Sequence, residues 1–370
     1  MPLVSNQDVG VKEQKPKVML TQILIVPDFV EKYLDIDTRL RLRKTCKTIR
    51  EIINEKLLHI DGLNYNFIGN CIDISTNEDF KVLYKIIEGG LRVRYWDREK
   101  VINTNNDEEK VEIIQQDLMS ILCNEKLRID TLRIESNLTT SFNKKPPIGM
   151  RALRNTFIQV PNKRNVRNLE YFVYEVNEAF IVTLNTIDPV HLKFLYLSMQ
   201  FLNYSPGFWE DLNNLEQWKL LKSLIVRCPQ LTVSDITRFF THFENAHLKI
   251  RSFYGLLDFT LIHNSVMELK NKLLQNFNLK QLKIRVDMEI RDSDFENIKA
   301  SLQQYNTNNT PYPFWFSIPY PDSDKKLELL VETKMIWFKG PCYVEGEEDT
   351  EEEEVEDEML PLIPLNFNDF

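Results

Sequence analysis

The chain has 370 residues, of which 43% are hydrophobic and 27% charged, a composition typical of a folded globular protein. Only 10 glycines are present, and neither GxGxxG nor GxxxxGK[ST] occurs, which argues against a nucleotide-binding loop. The formal net charge of −9 includes eleven acidic residues between positions 345 and 358, so the rest of the chain carries +2 and we expect no binding to nucleic acid.

The cysteine pattern and the N-terminal sequence favour a reducing compartment. The five cysteines are far apart, odd in number and form no CxxC motif, so a disulfide framework is not expected. Residues 1–19 are polar and lack the apolar stretch of a signal peptide, and no run of 18 apolar residues occurs elsewhere. We therefore predict a cytoplasmic or nuclear protein with a disordered arm at residues 1–19 and no membrane contact.

Residues 20–58 have helical periodicity. Four apolar residues recur at the spacing of one helix face, namely Val26, Phe29, Val30 and Tyr33. We expect Asp37-Thr38 to cap a second helix. Its apolar stripe consists of Leu42, Cys46, Ile49 and Ile53. The pattern predicts a small helical module at residues 20–58.

Residues 59–344 are predicted to form an α/β body, in which short β-type runs alternate with amphipathic helices. The runs are 131–136, 171–176, 194–199, 223–228, 252–257 and 281–286, and the later helices are 207–218, 233–246, 263–277 and 292–305. The second residues of the last four runs are 29 residues apart, at Leu195, Leu224, Phe253 and Leu282. This spacing favours a leucine-rich-repeat-like solenoid, and a non-repetitive α/β domain is the alternative.

The C-terminal sequence predicts a β cap followed by a tail. Two long β-type runs, 314–321 and 326–340, flank a turn and are expected to close the open end of the solenoid. Residues 345–370 are first acidic and then apolar, and we expect them to be disordered.

The sequence of residues 34–55, LDIDTRLRLRKTCKTIREIINE, resembles the second half of the F-box in nematode F-box proteins. The resemblance is carried by Leu34-Asp35, Arg39-Leu40, Leu42-Arg43-Lys44, Cys46, Arg50 and Ile53. Residues 123–135, 231–243 and 316–339 resemble the FTH-like domain that follows the F-box in those proteins. Pro27 lies only seven residues before Leu34, so the first helix is expected to be shorter than in the family.

The resemblance implies a non-enzymatic substrate receptor of a cullin-type ubiquitin ligase, with a Skp-type adaptor, the cullin complex and an unknown protein substrate as partners. The residues it implies for adaptor binding are Pro27, Phe29, Val30, Tyr33, Leu34, Ile36, Leu40, Leu42 and Cys46. Exposed Phe29, Val30, Leu34 and Ile36 would form an apolar patch that needs a partner. Alternatively, these residues cap the first repeat, and both roles are compatible on different faces.

Other functional classes have weaker support in the sequence. His242 and His247 are five residues apart, which does not suit a zinc pair on one helix face, and Cys228 is expected to be a buried thiol. The basic stretch at 39–44 is expected to be a solvated helix face. We therefore expect no metal, no cofactor and no catalytic residue. Substrate is expected on the strand face or its loops, with 252–259 as a candidate, and a ligase-independent binding scaffold is the alternative function.

Overall fold

The computed structural model describes residues 20–26, 29–77, 80–95, 98–136, 146–173, 178–199, 207–251, 262–306 and 315–346. Within these residues the protein is a mixed α/β structure, organised on one open sheet of fourteen strands. The sheet combines antiparallel strands at both ends with a parallel block in the middle.

Four short helices precede the sheet: α1 (Leu20–Leu24), α2 (Phe29–Tyr33), α3 (Ile36–Arg43) and α4 (Lys47–Asn54). The N-cap of α3 is Asp35, whose carboxylate accepts a hydrogen bond of 2.6 Å from the backbone N–H of Thr38. The predicted cap at Asp37-Thr38 was therefore wrong by two residues, because both positions already lie inside the helix.

An antiparallel meander opens the sheet, with strands β1 (Leu58–Ile68), β2 (Cys71–Thr76), β3 (Lys81–Ile87), β4 (Gly90–Tyr95) and β5 (Arg98–Asn103). The sequence reading did not predict these strands. The turn before β4 contains Gly89 at φ 68°, a left-handed backbone conformation that suits glycine. At Gly90 an added Cβ would lie 2.4 Å from the carbonyl oxygen of Ile102, so glycine also permits the close pairing of β4 with β5.

The central block contains seven parallel strands that lie side by side in chain order, from β1 to β11. Its strands after β1 are β6 (Leu127–Ser136), β7 (Asn165–Val173), β8 (Phe194–Met199), β9 (Ser223–Arg227), β10 (Asn245–Ile250) and β11 (Gln281–Val286). The helices are α5 (Asp107–Leu122), α6 (Ile148–Gln159), α7 (Glu178–Asn185), α8 (Phe208–Asn214), α9 (Glu216–Leu220), α10 (Val233–Phe239), α11 (Ile262–Leu273) and α12 (Asp292–Leu302). A 3-10 turn at Gln303–Tyr305 follows α12.

The sheet ends in three antiparallel strands, β12 (Trp315–Pro319), β13 (Lys326–Glu332) and β14 (Met335–Lys339). Strand β14 pairs with β11 and so joins this hairpin to the parallel block. The predicted run 326–340 is therefore two strands rather than one, with its turn at residues 333–334.

The predicted spacing of 29 residues holds for only one step of the parallel block. Leu195 pairs with Leu224, but the next residue in this register is Ala246, followed by Leu282. The third strand is thus Asn245–Ile250, and the predicted run 252–257 lies outside the described residues. The prediction of a fixed period was wrong. The connection from β9 to β10 is shorter than predicted, and the connection from β10 to β11 is correspondingly longer.

One face of the sheet packs against the helices. The inward side chains of β8, Leu195, Leu197 and Met199, belong to a core that extends from Ile36 in α3 to Phe338 in β14. Neighbouring helices of the central block contact one another along the sheet, as expected when consecutive crossovers share one hand. The face away from the helices carries the alternate residues of each strand, and we call it the outer face.

Strands β1, β6 and β7 share an irregularity in this alternation. Their inward residues step by three positions rather than two, from Ile60 to Leu63 in β1 and from Ile129 to Leu132 in β6. Strand β7 makes the same three-residue step, at positions that pair with those of β6. Two successive residues therefore lie outside the core in each strand, which gives the outer face extra polar residues at this point.

Candidate functional site

The N-terminal helices form a module with its own small core. Leu24, Val30, Ile49 and Ile53 are buried against one another, with Phe29, Leu34, Leu42 and Ile52 packed around them. Helix α3 turns a second set of side chains towards the sheet, since Ile36 and Leu40 belong to the main core. Helix α3 therefore connects two hydrophobic cores, and the module is seated on the beginning of the sheet.

A buried arginine fixes this arrangement. The guanidinium of Arg39 donates to the carbonyl oxygens of Val30, inside α2, at 2.9 Å and of Leu34, directly after α2, at 2.9 Å. It also donates to the carbonyl of Leu57, directly before β1, at 2.6 Å. Hydrogen bonds from a charged donor are stronger than neutral ones, so this side chain ties α2, α3 and the first strand together.

The residues predicted to bind an adaptor divide into three groups. Tyr33 and Cys46 are exposed, whereas Phe29, Leu34 and Leu42 are half-buried. Val30, Ile36 and Leu40 are buried, which corrects the expectation that Val30 and Ile36 belong to an exposed patch. Ile36 and Leu40 pack against the sheet, as the capping alternative predicts, whereas Val30 packs inside the module itself. Pro27 lies outside the described residues.

An exposed apolar surface remains on the module. Ile25 is 61% and Tyr33 73% exposed, and Leu20 and Val26 are almost half exposed. Phe29 lies beside two of these residues, since its ring is 5.5 Å from that of Tyr33 and its backbone N–H donates to the carbonyl of Val26. We call Leu20, Ile25, Val26, Phe29 and Tyr33 the N-terminal apolar surface. Sequence reasoning missed Leu20 and Ile25, although the unbroken apolar run at 23–26 was a signal.

A cleft of about 380 Å³ separates the module from the first strands. It is lined by residues 31–36, Arg39, residues 58–60 and Thr76. At its edge the Nε2 atom of His59 lies 3.2 Å from a carboxylate oxygen of Asp130 and 3.9 Å from one of Asp61. These three residues are solvent-accessible and offer ligand atoms within 4.8 Å of one another. A polar contact between the histidine ring and the carboxylates accounts for this geometry. Sequence reasoning did not bring these residues together.

The middle of the outer face combines cations with aromatic rings. Arg133 lies 3.6 Å from the carboxylate of Glu170 and 4.6 Å from the ring centre of Phe172. That ring packs against Tyr196 at 4.7 Å, and the guanidinium of Arg227 lies 5.6 Å from the Tyr196 ring centre. Burial raises the pKa of Tyr196 to about 12, although the nearby Arg227 acts in the opposite direction.

A second group of this kind lies where β11 meets the C-terminal hairpin. The ammonium of Lys339 lies 4.1 Å from the ring centre of Trp337, 4.3 Å from that of Tyr343 and 4.8 Å from that of Trp315. The indole N–H of Trp337 donates to Gln281 at 2.8 Å, and Gln281 contacts a ring nitrogen of His247 at 2.7 Å. Cation–π attraction of this kind holds the Lys339 ammonium against the three rings. Trp315, Trp337 and Tyr343 were not predicted as functional residues.

The histidine and cysteine candidates occupy structural positions. A ring nitrogen of His242 lies 3.1 Å from the carbonyl of Trp218, and burial lowers the pKa of this histidine. Cys228 is buried, as the sequence predicts, and burial raises the pKa of its thiol to about 11. A thiol with a raised pKa is a poor nucleophile at neutral pH.

Comparison with known proteins gives no assignment, because no model of a known protein family matches the chain and no curated protein is significantly similar to it. Among the helices that the structure describes, none has both the length and the apolar composition that crossing a membrane requires.

Proposed function

We propose that the chain is the substrate-recognition subunit of a cullin-type ubiquitin ligase. In this proposal the N-terminal helices bind a Skp-type adaptor, and the α/β body, arranged as a leucine-rich-repeat-like solenoid, holds a protein substrate. The observation that carries the proposal is the N-terminal apolar surface on a helical module whose sequence resembles an F-box. The proposal assigns the chain no catalytic step and no cofactor.

The exposed side chains support docking on energetic grounds. Removing a large apolar side chain from water contributes about 1.5–3 kcal/mol, and a contiguous apolar surface is a recognised sign of an interaction site. Ile25, Val26 and Tyr33 lie outside both hydrophobic cores. A partner that covers these residues would gain binding energy without unpacking the module.

The rigid seating of the module supports a bridging role. Arg39 and the inward side chains of Ile36 and Leu40 fix α3 to the sheet. An adaptor bound at the module would therefore hold the body in a defined orientation. A receptor that presents its substrate to a second enzyme needs such a fixed geometry, because misplacement of reacting groups slows a reaction steeply.

A ligase-independent binding scaffold is the alternative function, and one observation favours it. Ile36 and Leu40 belong to the core shared with the sheet, which supports a role of the module as an N-terminal cap. In this alternative the outer face binds a partner, and no adaptor binds to the N-terminal apolar surface.

Adaptor binding by the full chain tests the proposal. We expect the wild-type chain to retain a purified Skp-type adaptor in a pull-down, and Ile25→Asp and Tyr33→Asp to lose it. The matched control is Val190→Asp, a substitution at a residue that is 65% exposed and far from the module in sequence. We expect V190D to bind like the wild type. Absence of adaptor binding by the wild-type chain, with its folded state shown by a cooperative unfolding transition, would support the scaffold instead.

A further inference from the structure

A row of positive charge crosses the outer face. Arg227 in β9, Lys249 in β10 and Arg285 in β11 occupy equivalent positions in three adjacent parallel strands. Neighbouring strands are about 4.8 Å apart, so these three side chains are close neighbours. Lys249 is exposed, and Arg227 and Arg285 are half-buried. Like charges directly opposite one another destabilise a sheet, so an anionic segment that crosses this row lowers the free energy of the folded chain.

Two further cations extend the row towards the C-terminal hairpin. Lys283, a buried residue, lies two residues before Arg285 on the same strand, with its ammonium 4.9 Å from the ring centre of Trp337. The ammonium of Lys339 lies 4.1 Å from the centre of the same ring. On the neighbouring strand β13, Glu328 is in register with Lys339 and Glu332 with Met335. We call Arg227, Lys249, Lys283, Arg285 and Lys339 the cationic row.

The chain leaves the sheet beside this row. Tyr343 follows β14, and its ring lies 5.9 Å from Trp337 and 4.3 Å from the ammonium of Lys339. The acidic segment 345–358 begins two residues later and contains eleven carboxylates and no basic residue. The most acidic segment of the chain therefore starts next to a cluster of cationic side chains.

The acidic segment is long enough to cross the whole row. Across the sheet, the distance from β14 to β9 is three strand spacings, or about 14 Å. Along a strand, the distance from Gln281 to Arg285 is about 13 Å. An extended chain covers about 3.3 Å per residue, so six or seven residues span the resulting diagonal of about 20 Å. The segment from 347 to 358 has twelve residues, which leaves room for its path to follow the row.

We infer that the acidic segment 345–358 binds across the cationic row of its own chain and occupies that part of the outer face. The contact is electrostatic and needs no fixed side-chain pairing, so it weakens as salt rises. It is intramolecular, and a short tether gives such a contact an effective concentration in the millimolar range. An acidic ligand from outside would compete with the segment for the same cations. The inference does not rest on adaptor binding.

Zero-length cross-linking of the full chain with a carbodiimide tests the position of the segment. We expect amide links between the amine of Lys249 and carboxylates of residues 347–358, identified by mass spectrometry. Lys272, an exposed lysine of α11 on the helix side, is the control and is expected to form no such links. A mixture of isotope-labelled and unlabelled chains separates links within one chain from links between two copies. Equal linking of Lys272, or links found only between copies, would overturn the inference.

Competition by a peptide measures the strength of the contact. The probe is a fluorescent peptide with the sequence of residues 345–358, added to full chains. We expect it to bind a chain with Glu351→Gln, Glu352→Gln, Glu353→Gln and Glu354→Gln about tenfold more tightly than the wild type, since the neutralised segment competes less in cis. Adding Lys249→Gln and Arg285→Gln to that chain should remove the gain, whereas adding Lys272→Gln should not. Equal peptide affinity of wild-type and neutralised chains, or an equal loss with Lys272→Gln, would contradict intramolecular binding.

Discussion

The guanidinium of Arg39 donates to the carbonyl oxygen of Leu57 over 2.6 Å, and this bond joins the third helix to the residue before the first strand. The same side chain donates to the carbonyls of Val30, inside α2, and Leu34, directly after it. One buried cation thus binds three backbone acceptors, of which the Val30 carbonyl also accepts from the N–H of Leu34. The connection is polar at its centre and is flanked by the apolar contacts of Ile36 and Leu40.

Replacing Arg39 should loosen the module. We expect Arg39→Leu to lower the free energy of unfolding by about 3 kcal/mol, because it leaves buried carbonyls without a donor. Urea unfolding measures this loss, and hydrogen exchange should show faster exchange in residues 29–57. The control is Arg41→Leu on the same helix, which removes an exposed ion pair with Asp37 at 2.7 Å and should cost less than about 1 kcal/mol. Equal losses for the two variants would show that the carbonyl contacts carry little energy.

The sequence predicts a strand best where the segment with the highest local β propensity is also the segment that pairs in the sheet. The runs 194–199 and 281–286 coincide with β8 and β11, because both are rich in apolar and β-branched or aromatic residues. β10 was missed because Asn245, His247 and Lys249 lower its β propensity, while the neighbouring run 252–257 has a stronger one. Pairing with β9 and β11 decides the position of this strand, and no local property of the sequence carries that information.

Alkaline pH should destabilise the protein through its buried tyrosines. The pKa of Tyr196 is raised by burial from 10.0 to about 12, so its contribution to stability is present below about pH 10 and is lost as the pH rises through 12. Since one pKa unit corresponds to about 1.4 kcal/mol, the loss from this group at about pH 11 is about 1.4 kcal/mol. Tyr196→Phe should lack this part of the decline in urea unfolding between about pH 8 and 11.

The control for that experiment is Tyr33→Phe, since the Tyr33 phenol is exposed to water in the folded protein. We expect this variant to lose stability with pH in parallel with the wild type. A parallel decline for Tyr196→Phe as well would show that the Tyr196 phenol does not contribute to the pH dependence.

The cysteines should differ widely in reactivity. Burial raises the pKa of Cys228 to about 11 from 9.0, so its thiolate population near neutral pH is about a hundredfold lower than that of a thiol at 9.0. We expect a maleimide reagent to label the exposed Cys46 first and Cys228 only after unfolding in urea. Peptide mass spectrometry at timed intervals follows both sites. Similar labelling rates in the native protein would contradict the buried position of Cys228.

The helix layer should be most sensitive at Trp218. This residue is fully buried, its ring lies 5.1 Å from Phe243 and 5.4 Å from Phe240, and its indole N–H donates to the carbonyl of Phe239. Trp218→Ala should therefore cost about 3–5 kcal/mol in urea unfolding. Leu220→Ala, at a half-exposed position of the same helix, should cost less than about 1 kcal/mol. Comparable costs would show that the aromatic cluster relaxes around the cavity.

The candidate site was predictable only in its location. Helical periodicity identified the apolar residues of the module, but it cannot say which of two partners each residue faces, the sheet or another protein. Val30 and Tyr33 share one predicted face, yet the first is buried and the second exposed, because α2 has only five residues and packs through one side chain. The cationic row was invisible for a different reason, since Arg227, Lys249 and Arg285 become neighbours only through strand pairing.

Among the strands that the structure describes, β5 and β12 lie at the two edges of the sheet. An edge strand has unpaired backbone groups to which a second chain can add, and this is a common route to aggregation. Both edges carry features that oppose such addition. Strand β5 is almost wholly exposed and begins with the charged residues Arg98, Glu99 and Lys100. Strand β12 has only five residues and ends at Pro319, which lacks a backbone N–H. These features oppose growth of the sheet by addition of further chains, and substitutions that make either edge apolar are the ones we expect to cause polymerisation.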